Sequence, residues 1–216
     1  MADALCADRG FELRRTLTGF KFIGEQIGLL EAAGEAGRFM FGFEESYGYL
    51  AGTALRDKDA VVASMLICEM ARWYRAKGMD LVDAMEALYA RYGYYRNGLI
   101  SLSYPGAEGA ARMAAITAGL RAEPPVEVAG LAVEGVVDYL GGAAMPISGG
   151  RGDAAGQVLP GADVLEFALA GGNKLLVRPS GTEPKIKAYL FARGETREEA
   201  DAVLAALDVA ARELLG

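Results

Sequence analysis

Ten residues, "RPSGTEPKIK" at 178–187, gather what is needed to hold an anion. Arg178 offers a rigid fork of N–H donors, Ser180 and Thr182 offer hydroxyls, and Lys185 and Lys187 add mobile positive charge. Gly181 lets successive backbone N–H groups converge on one point. The chain carries 29 acidic and 22 basic residues, a net charge of −7. Basic side chains packed this closely are therefore informative. The same composition also describes a plain turn between two strands, because Pro, Ser, Gly and Thr all favour turns. The GxxxxGK[ST] spacing of a P-loop is absent.

A second stretch, "FGFEESYGYL" at 41–50, sets Glu44, Glu45 and Ser46 among Phe41, Phe43, Tyr47 and Tyr49. Carboxylates in apolar surroundings need a partner in the fold or a polar ligand. A glutamate and a serine one residue apart can hold vicinal sugar hydroxyls, and a nearby lysine can exchange protons with them. "RDKD" at 56–59 supplies Arg56 and Lys58 just before a helical pattern. Taken alone, it reads first as a solvated helix start. If the glutamates are only structural, one of them is ion-paired to Arg56 or Lys58. Upstream, "TLTGFK" holds Thr16, Thr18, a flexible Gly19 and Lys21.

Composition removes several chemistries. The 216 residues include no histidine, which excludes Ser-His-Asp and Cys-His catalysis and any imidazole zinc site. The acidic balance argues against broad binding of nucleic acid or an anionic membrane. Cys6 and Cys68 read as reduced core thiols of a cytoplasmic protein, the second inside an apolar helical pattern. No signal-peptide pattern is present and no apolar run reaches membrane-spanning length.

The elements that position these residues follow from periodicity. Helices are predicted at the start of the chain up to Gly10, over "KFIGEQIGLLEAAGEAG", and over "DKDAVVASMLICEMARWYRAKG". Two more cover "DLVDAMEALYARYG", capped by Asp80, and "GAEGAARMAAITAGL". In the third of these, Val61, Val62, Met65, Leu66, Met70 and Trp73 form one apolar face. "FELRRTLTGF" and "RFMFGFE" read as short strands. Beyond Pro124-Pro125, strands are predicted over "VEVAGLAVEGVVDYL", "DVLEFALAGG", "NKLLVRPSG" and "KIKAYLFA". A Gly/Ala-rich loop, "GGAAMPISGGRGDAAG", follows the first of them. The closing helix opens on a capping box of Thr196 and Glu199. The prolines and the change of texture place a boundary there: residues 1–122 form an α/β domain and 124–216 a small α+β domain. No sheet is expected to cross it.

"TLTGFKFIGEQI", "FGFEESYGYLAGTALRDKDAV" and "RPSGTEPKIKAYL" together, in this order, resemble the α-D-phosphohexomutase family, its phosphoglucomutases in particular. The resemblance implies domains three and four of a four-domain enzyme, the third a mixed sheet with helices. Such an enzyme interconverts glucose 1-phosphate and glucose 6-phosphate through a phosphoserine and a bisphosphate intermediate. It uses magnesium, and glucose 1,6-bisphosphate serves as activator. By this resemblance, Glu44 and Ser46 hold sugar hydroxyls, and Thr18, Gly19 and Lys21 shape the sugar-binding edge. Lys58, with Arg56 beside it, is an acid/base group at the reacting end. Arg178, Ser180, Gly181, Thr182 and Lys185 grip the non-transferred phosphate, assisted by Lys187. No TASHN-like serine loop and no DxDxDR-like metal loop occurs in the 216 residues. The expectation is a chain without the N-terminal domains, without the first strand of domain three and without metal ligands, inactive by itself. The alternatives are a non-catalytic phosphosugar-binding protein, or a fragment of a phosphomannomutase or phosphopentomutase.

Overall fold

The computed structural model describes residues 1–17, 19–44, 47–141, 143–145, 157–159, 161–181 and 183–216. In chain order the helices are α1 (Ala2–Arg9), α2 (Phe20–Ala32), α3 (Ala60–Arg75), α4 (Leu81–Tyr92), α5 (Gly106–Ala122) and α6 (Arg197–Leu215). The strands are β1 (Phe41–Phe43), β2 (Tyr49–Ala51), β3 (Tyr94–Ser103), β4 (Glu127–Val128), β5 (Leu131–Asp138), β6 (Ala143–Met145), β7 (Gln157–Leu159), β8 (Leu165–Leu169), β9 (Asn173–Pro179) and β10 (Lys185–Gly194). An α/β region followed by an α+β region is the order found. Among the described residues no helix is long and apolar enough to cross a membrane.

Two compact units form, one from Met1–Leu13 with Tyr89–Gly216 and one from Arg14–Leu88. This corrects the boundary expected at Pro124-Pro125. β3 lies before those prolines, yet it is the edge strand of a six-stranded antiparallel sheet ordered β3-β10-β9-β8-β5-β4. Its ten residues pair with β10 along the full length, from Lys185 opposite Ser103 to Gly194 opposite Tyr94. A ladder of that length outweighs the local signal of two prolines. Those prolines merely end α5 and start the connection to β4.

Alternation along the strands explains the core of this unit. Ile186, Ala188 and Leu190 of β10, Leu175 and Val177 of β9 and Phe167 of β8 are all buried. They meet Met113 and Leu120 of α5 and Leu207, Ala211 and Leu215 of α6 in one cluster. The helices therefore cover one face of the sheet, and the intervening residues project from the other. The expected capping box holds α6: the Thr196 hydroxyl accepts from Glu199 N at 3.1 Å, and the Glu199 carboxylate accepts from Thr196 N at 3.3 Å. Gly109 is required where α5 meets β3, since a Cβ there would lie 2.0 Å from the Tyr104 carbonyl oxygen.

The unit of residues 14–88 is thinner. β1 and β2 pair antiparallel, with Phe43 opposite Tyr49, and Leu50 packs with Phe20 and Ile27 of α2. The helix expected over residues 57–78 forms over Ala60–Arg75, started by Asp59, whose carboxylate accepts from Val61 N and Val62 N at 2.9 and 3.1 Å. Its apolar face is largely open among the described residues, with Val61, Met65 and Trp73 more than half exposed and Val62 and Leu66 partly covered. Cys68 is exposed there, contrary to the core position expected; Cys6 is partly buried, and both are free thiols. Residues 11–17 form no strand where one was expected.

Candidate functional site

The 178–187 stretch is the hairpin joining β9 to β10. Pro179 ends one strand and Lys185 begins the next. Ser180 N donates to the Lys185 carbonyl at 2.8 Å and closes the turn, while Lys185 N donates to the Glu183 carbonyl at 2.8 Å. The Ser180 hydroxyl accepts from Glu183 N at 3.3 Å. Gly181 does not have a left-handed backbone, and a Cβ there would meet nothing within 4 Å. The turn therefore does not require glycine, contrary to its expected role in bending the chain. Thr182 lies outside the described residues.

Strand register brings the basic residues together. Lys187 sits directly opposite Arg178 across the β9–β10 ladder, next to the buried pair Val177 and Ala188. Both side chains therefore project from the face away from the helices. Arg178 is exposed, and neither residue has a charged or hydrogen-bonded partner among the described residues. Lys185, two residues along the same face, is 3.4 Å from the Glu183 carboxylate, an exposed pair of little strength. Like charges placed directly opposite on neighbouring strands destabilise a sheet. Folding gains nothing from this pair; an anion above it would relieve the repulsion. The sequence shows the residues, whereas the direct opposition of Lys187 and Arg178 follows only from the register.

The second stretch is the β1–β2 hairpin. Glu44 N donates to the Gly48 carbonyl at 3.0 Å. Tyr47 has a left-handed φ of 62° and its side chain is 88% exposed. Glu45 and Ser46 lie outside the described residues, as does Thr18. Lys58 Nζ is 4.0 Å from Glu44 Oε1 and 3.0 Å from Asp57 Oδ1. The two expected site residues thus meet, with Glu44 mostly buried and Lys58 half-exposed, and this is also the ion pair expected if Glu44 has a purely structural role. Gly48 makes the space: a Cβ there would lie 2.7 Å from Glu44 Oε1 and 2.8 Å from Lys58 Cδ. Lys58 Nζ also sits 5.2 Å from the Phe20 ring centre. Hydrogen bonding to Asp57 raises the Lys58 pKa above the ordinary lysine value, and the same contact lowers that of Asp57. Such a lysine stays protonated at neutral pH, where it can stabilise negative charge and is a poor proton donor.

Arg56 does not join this group. Its guanidinium pairs with Glu31 at the end of α2 and donates to the Thr53 carbonyl at 2.5 Å. It holds the loop to the helix. Lys21 is exposed and stacks its ammonium on Phe22 at 4.8 Å. Gly19, with φ 128°, is the residue before α2, and its carbonyl accepts from Phe22 N at 3.0 Å. Asp57 was visible in sequence as the neighbour of Lys58; Gly48 and Phe20 were missed as its setting, and a small residue four positions after Glu44 was the one available signal for them. Among the described residues no group of three or more Cys, Asp or Glu is placed to hold a metal ion. The magnesium implied by the resemblance has no ligand set there.

Residues 1–92 match the family model of phosphoglucomutase/phosphomannomutase α/β/α domain III. The chain is 35% identical over 206 residues to a "Probable phosphomannomutase" of Haemophilus influenzae, covering 95% of this chain and 36% of that protein. It is 36% identical over 191 residues to a phosphoglucomutase of Staphylococcus aureus, covering 88% of this chain and 33% of that one. The chain is homologous to the phosphoglucomutase/phosphomannomutase superfamily. It spans about a third of the length of the curated relatives it matches. A crystal structure of the Paramecium exocytosis-sensitive phosphoprotein pp63/parafusin, a phosphoglucomutase in open form, superposes with a TM-score of 0.67. That match covers 99% of this chain and 35% of the other at 19% identity, and speaks for the fold.

Proposed function

We propose that this chain is the substrate-binding C-terminal part of a phosphohexomutase acting on glucose 1-phosphate and glucose 6-phosphate. The observation that carries the reading is the uncompensated pair of Arg178 and Lys187 at the base of a serine-containing turn. Arg178 grips the non-transferred phosphate through its planar fork. Ser180, the backbone around Gly181, Thr182 and Lys185 surround it, and Lys187 adds charge.

Glu44 and Ser46 accept from and donate to the sugar hydroxyls, with Gly19, Thr18 and Lys21 forming an edge for the ring. Lys58, whose pKa Asp57 raises further, stabilises negative charge on the reacting oxygen; the acid/base role implied by the resemblance needs that contact to loosen when substrate binds. Arg56 supports the loop that carries Lys58. The phosphoserine and the bisphosphate route belong to the resemblance, and no serine loop occurs in these 216 residues. The chain by itself is therefore expected to bind phosphosugar without turning it over, in the cytoplasm. Mannose phosphate is the second reading, favoured by the name of the Haemophilus relative.

Isothermal titration against glucose 6-phosphate and mannose 6-phosphate tests this. Arg178→Ala is expected to weaken binding by roughly ten-fold to a hundred-fold, the loss of one or two charge-assisted hydrogen bonds. Arg178→Lys is expected to recover part of it. Equal affinity of wild type and R178A, or no binding by wild type, would overturn the reading. Mutase turnover by the purified chain would overturn its catalytic part.

A further inference from the structure

We propose that the anion site spans three strands, with Ser101 and Ser103 of β3 completing the group begun by Arg178, Lys185 and Lys187. The proposal rests on the phosphate reading above and adds a strand to it. β10 is the middle strand of the three. Lys187 faces Arg178 on β9 and Ser101 on β3, and Lys185 faces Ser103 on β3. Residues directly opposite in antiparallel strands share a face, with Cβ atoms about 5 Å apart. Buried Ile100, Ile186 and Val177 alternate with these residues and point toward the helices. The two serines and three basic side chains therefore emerge together on the open face, where both serines are exposed.

Elsewhere in this unit, several basic side chains are matched by acids. Lys174 pairs with Glu166, Arg96 with Asp201 at 2.5 Å, and Arg121 with Asp138 and Asp163. An acid at position 101 or 103 would have been the stabilising choice opposite a lysine. A serine hydroxyl instead donates a hydrogen bond to a bound anion, adds no charge, and leaves room above the lysine. The end of β3 is also fixed to the turn, since Tyr104 N donates to the Pro184 carbonyl at 2.8 Å. The ligand chemistry is a tetrahedral dianion: inorganic phosphate or the phosphate of a sugar monoester.

The test uses the full chain at constant ionic strength, with inorganic phosphate and glucose 6-phosphate as probes in titration calorimetry and thermal unfolding. The double variant S101A/S103A is expected to weaken both probes by about ten-fold to a hundred-fold, as expected for the loss of a hydrogen bond to a charged group. Ser101→Asp is expected to abolish binding while holding or raising the unfolding temperature, because its carboxylate pairs with Lys187. That variant separates lost binding from lost folding. Wild-type affinity in both serine variants, with R178A weakened, would overturn this proposal and leave the phosphate reading standing. Wild-type affinity in R178A as well, or no binding by the wild type, would overturn both.

Discussion

The two units spend the same kinds of residue differently. In the sheet unit, the apolar positions of β8, β9 and β10 lie under α5 and α6, and Phe167, Leu175 and Ile186 have no exposed surface. In residues 14–88, the apolar face of α3 and the Phe41, Phe43 and Tyr49 side of the hairpin are open. Among the described residues, the buried cluster there is Phe20, Ile27 and Leu50. Apolar area removed from water stabilises at about 25 cal/mol per Å², so the two units differ in how firmly they hold their loops. The phosphate-type loop stands on a ladder that cannot shift without breaking a core. The Glu44–Lys58 pair stands on a two-stranded hairpin.

The largest expected contrast comes from truncating each unit's apolar side chains. Phe167→Ala is expected to cost about 3–5 kcal/mol, read as a lower midpoint in urea unfolding of the sheet unit. Met65→Ala on α3, where the side chain is 53% exposed, is expected to change stability by less than about 0.5 kcal/mol. Equal losses would break the comparison. Next comes the cap of α6: Thr196→Ala is expected to cost about 1 kcal/mol, measured the same way. Tyr47→Gly is expected to stabilise residues 14–88 by up to about 1 kcal/mol, because it relieves a left-handed backbone at an exposed tyrosine. Loss of stability there would mean that Tyr47 makes a contact that sets the loop.

The smallest effect is electrostatic. The Lys58 pKa is raised, so its contribution is complete below the unfolded lysine pKa and is lost as pH rises through the folded value. The Asp57 pKa is lowered, so its contribution is complete above the unfolded aspartate pKa and is lost as pH falls through the folded value. The pair is thus fully charged from mildly acidic to mildly basic pH. NMR titration is expected to place the Lys58 midpoint above the ordinary lysine value, and Asp57→Asn to bring it down. An unchanged midpoint in the variant would leave Asp57 without that role.

Much of this was legible from local pattern. Helix periodicity, the Asp80 and Thr196 caps and the β9–β10 turn follow from side chains close in sequence. What was not legible depended on long-range pairing. β3 went unassigned because Tyr95, Arg96, Asn97 and Gly98 interrupt any apolar rhythm, although Ile100-Ser101-Leu102-Ser103 alternates with period two. Missing it moved the boundary to Pro124-Pro125 and hid the serines opposite the lysines. The α3 stripe was legible as a helix face, but periodicity reports that a face is apolar and not what covers it. In "RDKD" Lys58 reads as the acid/base group and Arg56 as a substrate contact beside it; only the fold shows Arg56 held by Glu31 and Lys58 beside Glu44.

Hydrogen exchange of the full chain, with and without glucose 6-phosphate, tests most directly the claim that the anion grip sits on the well-packed unit. Without ligand, the amides of β8, β9 and β10 are expected to exchange slowest and those of residues 14–88 far faster. With ligand, additional protection is expected in Arg178–Lys187 and at the end of β3, and Arg178→Ala is expected to remove it. Equal protection of the two units, or ligand-dependent protection that spares Arg178–Lys187, would contradict the account.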